Sequence, residues 1–214
     1  MKEQKYPAYL ENAFTEGFAY TDEDNSIFKF HTTNMGMLKV QDGKIIACDP
    51  IVFYEEPPFK DDFPKGSFPV ELAIASIDGN DERIGLARIK FSDNAPVKWD
   101  CTLCDGQDIS TLEPDEYFGY GVDSGTGGFM DTSAATVLLQ ELSRDADFGE
   151  KLVDQLDKNY KDTRSWQMWE KDGANVAMFT SGWGDGLYAS YIGYDDNGNI
   201  CRLVTDFGLL DWDA

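Results

Sequence analysis

GLYASYIGYDDNGNICRLVTDF, residues 186–207, decides the fold. Residues 186–194 and 200–207 are rich in aromatic and β-branched side chains, nearly alternating with small or polar ones. Between them Asp195-Asp196-Asn197-Gly198 supplies the positive φ that a tight hairpin needs. Two further segments read the same way. Residues 68–77 (FPVELAIASI) and 83–91 (RIGLARIKF) flank Asp78-Gly79-Asn80-Asp81, and residues 37–40 and 44–48 flank Gln41-Asp42-Gly43. Residues 174–180 (ANVAMFT) have the length and apolar content of a strand inside a sheet.

Helical spacing is confined to two places. In residues 132–142, Ala135, Leu138, Leu139 and Leu142 share a face behind Asp131, a cap for the first free amides. In residues 148–160, Phe148, Leu152, Val153, Leu156 and Tyr160 form one apolar stripe. The expected class is α+β: a mostly antiparallel β-sheet built from hairpins, with two or so helices packed on one face. The spacing of Trp166 and Trp169 suits core packing on one helical face.

The chain has 214 residues, of which 42% are hydrophobic and 14% aromatic, enough for one packed core, so general disorder is excluded. We read 1–214 as a single globular domain with 1–34 as a peripheral N-terminal segment. Against 40 acidic residues stand 18 basic ones, a net charge of -22, and the half from residue 108 onward is the more anionic. Nucleic acid and anionic membranes are excluded as main partners, because phosphate binding draws on clustered Lys and Arg. Residues 1–14 lack the apolar segment of a secretory signal, and no apolar run approaches the roughly 20 residues that cross a bilayer. The expected location is therefore cytoplasmic, with Cys48, Cys101, Cys104 and Cys201 as reduced thiols.

Several separated motifs occur together: residues 43–50 (GKIIACDP), Gly66 with Pro69-Val70, Trp99, residues 121–127 (GVDSGTG), Asp131, residues 182–188 (GWGDGLY) and Asp206-Phe207. In this order they resemble the bacterial domain of unknown function 4241 family, from about Met35 to Phe207. The resemblance implies a globular domain and no activity. Members of that family often carry Ala where Ser124 stands and Cys where Gly128 stands, which implies that neither side chain is essential.

The chemistry concentrates in residues 122–131 (VDSGTGGFMD). Placed between a short strand, 117–122, and a helix from 132, Gly125, Gly127 and Gly128 fall in a strand-to-helix loop where backbone amides can approach an anion. Asp123 and Asp131 would repel a bare phosphate, so a divalent cation, Mg2+ or Ca2+, is the natural companion. Asp49, Asp185 and Asp206 sit in similarly unusual settings, and a buried carboxylate needs a partner. The candidate metal ligands are thus Asp49, Asp123, Asp131, Asp185 and Asp206. The candidate ligand-binding set is Asp123, Gly125, Gly127, Gly128, Trp183, Asp185 and Tyr188. The competing reading is that Asp beside Gly caps turns and accepts local backbone hydrogen bonds.

Other patterns are weaker. Asp123 to Gly127 matches the phosphate loop of actin-like ATPases only locally. Asp195 to Asn199 lacks the closing Glu of a calcium-binding EF-hand loop. Cys101 and Cys104 have redox or zinc spacing but stand in a turn-like region, and His31, the only histidine, lies in a polar stretch. Two functions remain: a non-enzymatic binding or interaction module, for instance an immunity-type protein that neutralises a basic protein partner, and a metal-dependent hydrolase or ligand-binding enzyme using the Asp/Gly loops.

Overall fold

The computed structural model describes residues 5–113 and 116–212; the segment read for an export signal thus begins outside the described residues. Among the described residues thirteen strands and three α-helices follow in the order α1 (Tyr9–Asn12), β1 (Ala19–Thr21), β2 (Ile27–Val40), β3 (Ile45–Cys48), β4 (Gly66–Ile77), β5 (Asp81–Lys90), β6 (Lys98–Cys101), β7 (Tyr120–Val122), β8 (Thr126–Asp131), α2 (Thr132–Arg144), α3 (Phe148–Leu156), β9 (Trp166–Lys171), β10 (Ala174–Thr180), β11 (Gly186–Tyr188), β12 (Ser190–Tyr194) and β13 (Ile200–Asp206). The fold is α+β with mostly antiparallel sheets. A seven-stranded sheet runs β1-β2-β4-β5-β13-β12-β6, a four-stranded sheet β3-β8-β10-β9, and β11 pairs with β7 in a short ribbon.

Side-chain alternation places the layers. In β10, Ala177 and Phe179 point into the core between the sheets, with Leu72 and Ile74 of β4 and Leu203 of β13. Val176 and Met178 point outward against Leu138 of α2 and Leu152 and Leu156 of α3. The outer face of the larger sheet is covered by Tyr9, Leu10 and Phe14 from the N-terminus and Leu209 and Leu210 from the C-terminus. The two longer helices thus pack on one face, the outer side of the smaller sheet, as expected, and the four-residue α1 adds cover on the outer face of the larger sheet. Among the described residues no helix is long and apolar enough to cross a membrane.

The expected Asp78–Asn80 turn forms, joining β4 to β5 with positive φ at Asp78 and Gly79. The turn after β12 forms too, its Asp195 carboxylate accepting the Asn197 and Asn199 amides. Two segments depart from expectation. Residues 37–48 are not a hairpin: β2 pairs with β4 and β3 with β8, so the Asp-Gly turn carries the chain from one sheet to the other. Residues 186–194 are two strands, since β11 pairs with β7 while β12 lies between β13 and β6.

α2 starts as expected, with Asp131 accepting the Ala134 amide. α3 stops at Leu156, short of the exposed Tyr160, and within it Val153 is exposed rather than on the buried stripe. Trp166 and Trp169 belong to a strand, not a helix, and therefore face opposite sides, toward the inter-sheet core and toward the helices respectively.

One charged device fastens the N-terminus. Arg88 of β5 and Arg202 of β13 are buried on neighbouring strands, and Glu11 reaches both guanidinium groups at 2.9 and 3.0 Å. Glu71 takes the remaining edge of Arg88 at 2.7 Å. Buried guanidinium groups without a carboxylate are costly. Glu11→Ala should therefore lower stability by about 2–3 kcal/mol in denaturant unfolding, more than a surface ion pair contributes.

Candidate functional site

Asp49, immediately after β3, is 4% exposed. Its Oδ2 accepts the amides of Asp123 at 3.0 Å and Ser124 at 2.7 Å. Its Oδ1 accepts the Ser124 hydroxyl at 2.8 Å and the Ile51 amide at 3.0 Å, with Val52 behind at 3.4 Å. One carboxylate thereby ties its own loop to the β7–β8 turn. That turn reaches further: the Gly125 carbonyl accepts the Ser181 amide at 3.0 Å, and a Cβ on Gly125 would lie 3.8 Å from the Gly184 Cα. Asp49, the Asp123–Gly125 turn and the Gly182–Gly186 loop are therefore neighbours.

The second loop is rigid despite its glycines. Gly182 has φ +45°, and a Cβ there would stand 2.8 Å from Phe207, so the backbone lies flat on the core. The buried Tyr188 side chain donates its hydroxyl to the Gly184 carbonyl at 2.7 Å. Arg83 donates to the Gly182 carbonyl at 3.1 Å, and its guanidinium lies 4.4 Å from the centre of the Trp183 ring. Trp183 is held in place while 55% exposed. Leu187 is 47% exposed, and Tyr117, 50% exposed, donates its hydroxyl to the Leu187 carbonyl. Asp123 and Asp185 are exposed on the same two loops.

Other expected site residues lie elsewhere. Gly127 and Gly128 are not in a loop but within β8, paired with Phe179 and Met178. A Cβ on Gly127 would stand 2.9 Å from the Tyr120 hydroxyl, and on Gly128 2.7 Å from the Ala177 carbonyl, so these glycines answer to packing. The strand also separates the Gly125 turn from the start of α2. Asp131 stands at its far end, roughly 17 Å along at strand rise, where its carboxylate accepts the Ala134 and Gln41 amides and the Ser133 hydroxyl.

Asp206 lies on the outer face of the larger sheet, accepting the Tyr9 hydroxyl at 2.7 Å and the Gly208 amide at 2.9 Å. Burial pushes its carboxyl up to about 6 against these two donors. Among the described residues no group of three His, Cys, Asp or Glu comes together in a way that could hold a metal ion. Burial raises the Cys101 thiol to about 11 and lifts Cys104 as well, which disfavours thiolate chemistry. His31 is exposed on β2.

Tyr117 and Leu187 carried no sequence signal. Both read as strand residues; Leu187 lies on β11, whose ribbon with β7 is separate from the two main sheets, and Tyr117 precedes β7 rather than belonging to it.

A family model, Protein of unknown function (DUF4241), matches residues 38–205, most of the chain, and the chain belongs to that family. No curated protein and no solved structure matches it.

Asp49→Ala should cost about 3 kcal/mol in thermal or denaturant unfolding, because it orphans amides in two loops, whereas Asp123→Ala and Asp185→Ala, both exposed, should each stay within about 0.5 kcal/mol. Asp206 holds a proton in the folded state that the unfolded chain releases near pH 4. Its contribution is thus full below that pH and is lost as pH rises through about 6. Relative to Asp206→Asn, the unchanged protein should lose up to about 3 kcal/mol between those pH values.

Proposed function

We propose that this member of the DUF4241 family is a non-enzymatic binding module for a basic protein, in the manner of an immunity protein that covers its target. The observation that carries the reading is an exposed Trp183, clamped by Arg83, on a loop that also exposes Asp185 and runs into the exposed Leu187, next to the turn that exposes Asp123. Interfaces gain most of their affinity from a few rigid aromatic anchors, and a fixed ring loses little entropy on docking. Carboxylates around such an anchor select cationic partners, and a net charge of -22 steers them.

A metal-dependent hydrolase reading would have to recruit Asp49, whose oxygens already serve the amides that shape these loops. That cost favours the binding module. Calorimetry with Mg2+, Ca2+ and Mn2+ separates the two: the binding-module reading expects no saturable uptake, and uptake abolished by Asp123→Ala with Asp185→Ala would favour the enzyme.

The intact chain, used as bait in a lysate of its own cell below about 0.1 M salt, should retain one basic protein that is released as screening increases. Trp183→Ala combined with Leu187→Ala should weaken that complex by about 2 kcal/mol or more, measured with the purified partner. Recovery of no basic protein, or a complex indifferent to both salt and these substitutions, would overturn the reading.

A further inference from the structure

A groove of about 980 Å³ opens on the outer face of the larger sheet; Tyr117 and Leu187 line it and Trp183 does not. Tyr9, Tyr191, Tyr117 and Trp212 are among its walls, with Leu187 and Leu210 adding apolar surface. The Tyr191 and Trp212 rings are 5.7 Å apart, so two aromatic faces stand together. Asp206 also lines this groove, 9% exposed. It receives two hydrogen bonds, from Tyr9 and Gly208, and no Lys, Arg or His among the described residues acts on it. Glu113 and Glu116 line the same groove.

A buried carboxylate without a cation is an uncompensated charge when ionised, and it keeps acceptor capacity beyond two bonds. Aromatic faces around it favour a positive charge, and apolar walls favour a hydrocarbon body. A bare divalent ion would want further oxygen ligands, which the structure does not gather here. An anion meets Asp206, Glu113, Glu116 and the net charge of the chain.

We propose that this groove binds a small organic ammonium compound, its charged nitrogen against Asp206 and its aromatic or branched aliphatic body against Tyr191, Trp212 and Leu187. The site shares Tyr117 and Leu187 with the protein-binding face but not Trp183, and does not depend on that face. The ammonium needs the ionised carboxylate, so binding strengthens as pH rises. The titratable groups that face Asp206 or line the groove are Tyr9, Tyr191, Tyr117, Tyr188, Cys101, Glu113 and Glu116, with Asp211 acting on Tyr9 nearby. Burial holds Tyr9 and Tyr191 neutral well above their usual range and raises Cys101 to about 11, so the pH dependence is assigned to Asp206.

The test is calorimetric or NMR titration of the full chain with phenethylammonium as probe and phenethyl alcohol as its uncharged counterpart. The amine should bind one site saturably and at least about tenfold tighter than the alcohol, with affinity dropping about tenfold from about pH 7.5 to about pH 5 as Asp206, titrating at about 6, takes up its proton. Asp206→Asn should abolish both the preference and the pH dependence. Trp212→Ala, on a residue 41% exposed, should fold normally and weaken the amine severalfold, while Trp183→Ala should leave it unchanged. Equal affinity for amine and alcohol, no saturable binding at millimolar probe, or unchanged binding in both Asp206→Asn and Trp212→Ala would overturn the proposal. Loss of partner capture in Trp183→Ala with amine binding intact distinguishes the two sites.

Discussion

The exposed face depends on one buried carboxylate. Asp49 leaves β3 at the end of the smaller sheet and gathers the amides of Ile51, Asp123 and Ser124. Without that acceptor the Asp123 and Ser124 amides of the β7–β8 turn and the Ile51 amide would all lose their partner, and the turn its tie to β3. Because the turn is fixed, Gly125 can hold Ser181, and because Ser181 is fixed, Trp183 projects from a defined backbone. The carboxylate acts as a structural acceptor, and the loops it organises carry the exposed chemistry.

Charge in this protein is divided by depth. Buried Asp49 and Asp131 are matched to amides and hydroxyls, and the half-buried Glu11 and Glu71 to the buried Arg88 and Arg202. Asp206 differs in lining a groove with only two donors, which is why burial lifts its carboxyl. Exposed carboxylates such as Asp123 and Asp185 sit on the two neighbouring loops, the second of which carries the exposed Trp183. A strongly anionic surface with a few fixed aromatic anchors suits recognition of a cationic partner.

Much of the architecture was legible in short-range chemistry. Period-two alternation marked β4 and β5, length and apolar content marked β10, the Asn-Gly turn marked β13, and Asp131 ahead of an apolar stripe marked the start of α2. What escaped was partnership between distant segments. Residues 41–43 have hairpin chemistry, yet β2 and β3 go to different sheets because each finds a better-matched neighbour, β4 and β8. Gly127 and Gly128 read as a loop because glycine signals turns; the close approach of Tyr120, Ala177 and Pro50 that demands them is contributed by distant stretches. Asp49 and Asp123 do meet across 74 residues, but through a backbone amide, a contact that residue types alone do not announce. Trp183, singled out because it stands among glycines, is where those glycines leave it exposed.

Native-state amide hydrogen exchange at Asp123 and Ser124 addresses the role of Asp49 most directly. Both residues have exposed side chains on a surface turn, where amides ordinarily exchange quickly. If the Asp49 carboxylate holds them, both should exchange about as slowly as the neighbouring β8 amides and become fast in Asp49→Asn. Fast exchange of the two amides in the unchanged protein would mean that the turn is open and that Asp49 does not organise the face.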